Sequence, residues 1–233
     1  MLVLETKFWE FDSPLGHHIY GMKPKAAVFV HHPQCSIQSA HGILRTLYDD
    51  FDIDCIGKPD LNDRKLKKYD ILCVPGGIGD SDTWHAIMED QAHSLRNFTA
   101  RGRRYLGICM GAYWAGQHYL KLLDGVDAVQ YIKRPGADIL RSFGTVASID
   151  WLGQNENMYF YDGCSLLGDE ARFRTIARYS NGDAAAIIQD NIGCIGPHPE
   201  SDVYWYSKKF MRPYWHEYRH HELLRNFVKE MFV

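Results

Sequence analysis

Arg103-Arg104-Tyr105-Leu106-Gly107-Ile108-Cys109-Met110-Gly111-Ala112-Tyr113-Trp114-Ala115-Gly116 reads as a short apolar strand running into a glycine-flanked cysteine, then directly into a helix of small and aromatic residues. A nucleophile at a strand-to-helix turn is held in a strained backbone conformation, its side chain bared at the end of a sheet. Glycines are what the crossing backbone needs there. The helix that starts at the cysteine turns its positive end toward the sulfur and favours the thiolate. Cys109 is therefore expected to be a nucleophile and not a packing residue.

Working outward, residues 25–30 form a buried-strand run, followed by a loop and a helix over 36–50. Its apolar positions Ile37, Ala40, Ile43, Leu44, Leu47 and Tyr48 fall on one face, with Ser36 as N-cap. Short strands are expected at 53–56 and 69–74, the latter ending at Pro75-Gly76-Gly77. A helix over 83–100 presents Trp84, Ile87, Met88, Leu95 and Phe98, and the elbow helix is expected to reach Tyr119. Apolar strands alternating with helices specify a parallel sheet covered on both faces, with chemistry at the carboxyl ends of its strands.

Beyond Gly125 the pattern changes to short, turn-separated, often alternating segments around 139–149, 158–160, 173–179, 184–188 and 192–195, an antiparallel or mixed extension. Ser180-Asn181-Gly182-Asp183 is a hairpin turn between two of them. An amphipathic helix over 221–232 ends the chain. With no internal repeat or low-complexity linker, one domain is expected: a core over 25–201, an N-terminal extension over 1–24, and an aromatic segment with the final helix over 202–233.

A length of 233 residues, 45% hydrophobic and 24% charged, is ordinary for a globular protein with a sizeable core. The net charge of −3, with no basic run, argues against nucleic acid as a partner. No signal peptide and no run of about 18 apolar residues is read, so a cytoplasmic protein without a membrane span is expected. The six cysteines are scattered without a CxxC pair, which suits a reducing compartment; Cys55, Cys73 and Cys194 lie in apolar runs as small core residues. The twelve histidines show no metal-ligand spacing and are expected at the surface or an interface. Neither a metal nor a cofactor is called for.

A cysteine nucleophile needs a base and a group to orient it. One histidine has a suitable context, in Gly193-Cys194-Ile195-Gly196-Pro197-His198-Pro199-Glu200. It follows an apolar strand, its flanking prolines stiffen the backbone, and Glu200 is near enough to fix the imidazole tautomer.

Gly-Ile-Cys-Met-Gly followed by His198-Pro199-Glu200 resembles the class I glutamine amidotransferase superfamily, whose fold is a flavodoxin-like α/β three-layer sandwich. The resemblance implies Cys109 as nucleophile, His198 as general base and acid, and Glu200 as orienter. It also implies an oxyanion hole from the N–H groups of Met110 and Gly77, in the turn where that family keeps its oxyanion glycines. Gly76, Tyr113 and Trp114 are candidate substrate-binding residues. His32, Cys35, Tyr159, Tyr161 and Asp162 are candidates for the pocket rim, with core packing as the other reading.

Glutaminase-type members usually carry glutamine where this chain has Tyr113, which points away from glutamine as the substrate. The run from Leu106 to Ala115 is similar to the branch found at the N-terminus of eukaryotic biotin–protein ligases, and as stand-alone proteins; Ala177-Arg178-Tyr179 followed by Ala184 to Ile188 and Gly196 to Glu200 is similar to the end of that domain. No adenylate-binding loop accompanies it, so biotin transfer is not expected. The resemblance implies cleavage of a small-molecule amide through a thioester, with any ammonia transfer needing a separate synthase or acceptor partner. A silent binding module of the same fold, and a peptidase or deglycase-like hydrolase, stay open as alternatives. The stretch 204–219 is expected to pack on Phe8-Trp9-Glu10-Phe11 or to form an oligomer interface.

Overall fold

The structure is a computed structural model that describes residues 23–31 and 35–233. Its parallel strands are β1 (Lys25–Phe29), β2 (Asp52–Ile56), β3 (Ile71–Val74), β4 (Arg104–Ile108) and β11 (Ile192–Ile195). Between β4 and β11 the chain forms β5 (Val126–Gln130), β6 (Thr145–Trp151), β7 (Gln154–Phe160), β8 (Cys164–Gly168), β9 (Arg174–Tyr179) and β10 (Ala184–Gln189). All eleven join one sheet in the order β2-β1-β3-β4-β11-β10-β9-β6-β7, with β8 pairing β10 and β5 beside that path. The parallel half ends at β11, which pairs parallel to β4 and antiparallel to β10. This is the expected α/β sandwich with an antiparallel extension. The order 2-1-3-4 carries its topological switch between β1 and β3, where open α/β sheets take their ligands.

Alternate residues of each strand feed two cores. Ala26 and Val28 join Ile43, Leu47, Leu224, Phe227 and Val228 of α1 (Ile37–Leu47) and α6 (Arg219–Glu230) on one face. Ala27 and Phe29 join Trp84, Leu95 and Trp114 on the other. That second layer comprises α3 (Ser81–Met88), α4 (Ala92–Ala100) and α5 (Met110–Ala115), while α2 (Asp63–Leu66) is a single turn beside α4.

Several local expectations are corrected. The helix over 83–100 is two helices, broken by a tighter turn at Glu89–Gln91 whose Asp90 pairs with Lys58 at 3.1 Å. Met88 and Ala92 stay buried on either side, so the apolar face continues across the break. The elbow helix stops at Gly116, not Tyr119, because Gly116 turns to an extended conformation under the backbone of Ala128. The segment 139–149 is a strand only from Thr145, and β5 and β8 were not anticipated. Cys55 is exposed because β2 is an edge strand, whereas Cys73 and Cys194 are buried. The Asn181-Gly182 turn forms as expected, with Gly182 at φ +90°.

The histidines of the C-terminal segment are not at the surface. His216 and His220 stack at 3.9 Å between ring centroids, and both are buried with His221. His221 Nε2 meets the Ser201 carbonyl at 3.0 Å, and His220 Nε2 meets Glu156 Oε2 at 3.1 Å. Burial first, then the neighbouring histidines and Arg219, depress His216 to about 2; burial, Arg219 and His221 bring His220 to about 3. Tyr206 packs on Tyr159, Trp215 and His216, so the aromatic segment lies against β7. Its expected partner, residues 8–11, lies outside the described residues. No helix among the described residues is long and apolar enough to cross a membrane.

Candidate active site

Cys109 follows β4, Gly76-Gly77 follow β3 and His198 follows β11, so three adjacent parallel strands deliver these residues to the same end of the sheet. Cys109 has φ +51°, ψ −105°, outside the regions that L-residues favour, and its N–H is anchored on the Ile195 carbonyl at 2.8 Å. The flanking glycines permit this bend. A Cβ on Gly107 would fall inside the backbone of Gly111, and one on Gly111 inside the Val74 carbonyl.

His198 Nδ1 lies 2.8 Å from Glu200 Oε1, and both side chains are buried. An ionised carboxylate only accepts, which places a proton on Nδ1 and turns Nε2 to other work. Burial opposes charge on the ring, but the Glu200 carboxylate and the Cys109 sulfur more than offset it, and the imidazole is pushed up to about 10. The Cys109 thiol is directed at the Tyr161 carbonyl, 3.6 Å away. The His198 N–H is held by the Tyr159 carbonyl at 2.8 Å, and the ring is packed by Tyr159 and Trp205 at 5.8 and 5.2 Å.

Gly76 and Gly77 are required as glycines by close approach. A Cβ on Gly76 would stand 2.7 Å from His198 Cε1, and one on Gly77 2.8 Å from the Trp84 ring. The Gly76 N–H is taken by Ser39 Oγ, whereas the N–H groups of Gly77 and Met110 have no protein partner among the described residues. A cleft of about 1340 Å³ opens above them, lined by Cys109, Met110, Gly76, Gly77, Tyr113 and His198. Tyr113 donates from its hydroxyl to the Asp162 carbonyl at 3.1 Å, and Gln130 Nε2 holds the Asp162 carboxylate at 2.9 Å.

Trp114 does not reach the cleft. It is fully buried, edge-on to Trp84 at 4.9 Å, because α5 turns that face to the core. Trp84 in turn donates Nε1–H to the Ile78 carbonyl at 3.0 Å, so the pair buttresses the Gly76-Gly77 turn from behind. Of the candidate rim, Tyr159, Tyr161 and Asp162 line the cleft. Cys35 is buried in the core, its thiol pushed up to about 12 by burial, and His32 lies outside the described residues. Sequence reasoning missed Ser39 and Trp205; the only cue to the latter was the aromatic richness of its segment. Among the described residues, no group of three His, Cys, Asp or Glu could hold a metal ion.

Residues 32–121 match the family model described as biotin-protein ligase, N terminal. No curated protein matches the sequence significantly. Among solved structures, a Thermoplasma acidophilum protein described as one subunit of a GMP synthase is 16% identical with TM-score 0.61, over 91% of this chain and 96% of its own. A protein described as a glutamine amidotransferase is 17% identical with TM-score 0.60, over 89% and 99%. A glutamine amidotransferase from Thermotoga maritima is 11% identical with TM-score 0.62, over 90% and 96%. The chain has the fold of these proteins, and the family match supports the class I glutamine amidotransferase-like superfamily to which the elbow motif pointed.

Proposed function

We propose that this chain is a cysteine-dependent amidohydrolase or amidotransferase, working as one unit through Cys109, His198 and Glu200. The observation that carries the reading is the buried His198–Glu200 pair, Nδ1 2.8 Å from Oε1, delivered by β11 to the end of the sheet where Cys109 sits on its positive-φ turn after β4. The Cys109 thiolate attacks a carboxamide carbonyl, and the carbonyl electron pair moves onto oxygen, which settles on the N–H groups of Gly77 and Met110. As that pair returns, the C–N bond breaks and His198 gives its proton to the departing amine or ammonia. Water, deprotonated by His198, then attacks the thioester, releasing the acid and restoring the thiol.

The substrate class is a small-molecule amide, and Tyr113 argues against glutamine itself. Tyr113 lines the cleft where glutaminase-type members carry glutamine, and its hydroxyl is tied to the Asp162 carbonyl at 3.1 Å. The likeness to a protein described as part of a GMP synthase supports a separate synthase as recipient of any ammonia.

The test uses Cys55, the exposed cysteine, as an internal reference. At pH 7, iodoacetamide should modify Cys109 about tenfold faster than Cys55, since an ordinary thiol is only a few per cent ionised there. His198→Ala should remove that advantage, and Cys109→Ala should abolish turnover of any amide found by screening. Equal, slow labelling of both cysteines would favour the silent-module reading.

A further inference from the structure

Ser39 is fully buried in the first turn of α1, between two groups that the proposed reaction uses. Its Oγ donates to Glu200 Oε1 at 2.5 Å and accepts the Gly76 N–H at 2.9 Å. The partners fix the direction of the single hydroxyl proton. A backbone N–H only donates and an ionised carboxylate only accepts, so that proton lies toward Glu200. A continuous line results, from the Gly76 N–H through Ser39 to Glu200 and on to His198.

Glu200 has few donors to spare. Its side chain is wholly buried, Oε2 has no partner among the described residues, and Oε1 carries both Ser39 and His198. Removing the hydroxyl leaves a buried carboxylate with His198 as its one donor among the described residues, free to turn away from the ring. Two further residues of the same helix hold the same loop. Gly42 lets the Glu200 backbone carbonyl lie against α1, and Arg45 pairs with Asp202 at 2.9 Å. Ser39, Gly42 and Arg45 are spaced by three and therefore share one face of the helix.

We propose that Ser39 is a positioning residue: it locks the carboxylate that orients His198 and ties it to the Gly76-Gly77 turn, so that base and oxyanion donors keep one geometry. This rests on the function proposed above.

The test compares Ser39→Ala and Ser39→Thr with the unmodified chain. One readout is the low-field Nδ1–H proton resonance of His198, assigned by its loss in His198→Gln. The other is the rate of Cys109 alkylation by iodoacetamide. Ser39→Ala should broaden or abolish the resonance and slow alkylation about tenfold, the scale of one lost hydrogen bond to a charged group. Ser39→Thr, which keeps the hydroxyl, should retain both. If Ser39→Ala does not fold, Ser39→Cys, of similar volume but a weak donor, is read in the same way. A resonance and a rate unchanged in a folded variant overturn the proposal, as does a variant that merely melts lower with both preserved. If Cys109 in the unmodified chain reacts no faster than Cys55, the proposed function fails, while the resonance still decides the role of Ser39.

Discussion

Between pH 6 and pH 5 the chain should lose about 2–3 kcal/mol of stability per pH unit, far more than its exposed carboxylates account for. The cause is the buried histidine cluster. His216 and His220 are depressed to about 2 and about 3, and burial lowers His221 as well. A histidine whose folded value lies below its unfolded one leaves the unfolded chain binding more protons. Its contribution is therefore intact above the unfolded value near 6.5 and drains away as the pH falls toward the folded value. Glu156, which faces His220, does not reverse this, because Arg219 already forms an ion pair with it and His220 Nδ1 has no partner among the described residues. On the alkaline side His198 acts oppositely: its raised value means stability complete below about 6.5 and lost as the pH climbs through about 10. Thermal melts from pH 5 to 10 should therefore peak near neutrality, with the steeper fall on the acid side. A melting temperature that stays flat from pH 7 to pH 5 would contradict the burial of the cluster.

Replacing Gly42 with alanine should cost about 3 kcal/mol or more, since the added Cβ meets a backbone carbonyl that cannot rotate aside. That carbonyl belongs to Glu200, and the Cβ would also stand about 3.0 Å from Glu200 Cγ. The loop must shift away from α1, taking the carboxylate off His198, so stability and Cys109 reactivity should fall together. Calorimetry would show a melting temperature lower by roughly 6–12 °C for a chain of this size. Gly57→Ala is the control. At Gly57 φ is −102° and the nearest atom to an added Cβ is Pro59 Cδ at 3.6 Å, so both readouts should stay near those of the unmodified chain. A Gly42→Ala chain that melts like Gly57→Ala would mean that the loop does not rest on the helix.

The parallel half of the fold was legible because each strand is apolar throughout and ends in a recognisable turn, as at Val74 before Pro75-Gly76-Gly77. The strands β5 and β8 were not. Val126–Gln130 contains Asp127 and Gln130, and it finds its place through pairing with Cys164–Gly168, a partner that local periodicity does not reveal. Cys109, His198 and Glu200 could be named because strand, turn and glycine chemistry mark them locally. Ser39 could not, since a serine three residues past an N-cap looks like any other helical serine until residue 200 arrives. Trp114 misled for the complementary reason: the position next to Tyr113 is adjacent in sequence, but about 100° of helical turn sends it to the core.

The pairing of β4 with β11 also orders events as the chain is made. The residues of the elbow are complete by Gly116, yet its strand has β3 on one side only until Ile192–Ile195 is synthesised to pair with the other, and the Cys109 N–H waits for the Ile195 carbonyl. Ser39 and Glu200 are separated by 161 positions, Arg45 and Asp202 by 157. A growing chain emerging from its amino end thus carries the thiol long before the groups that would activate it. Under the function proposed above, reactivity would be withheld until most of the protein exists, and an unfinished or truncated chain would carry only an ordinary cysteine.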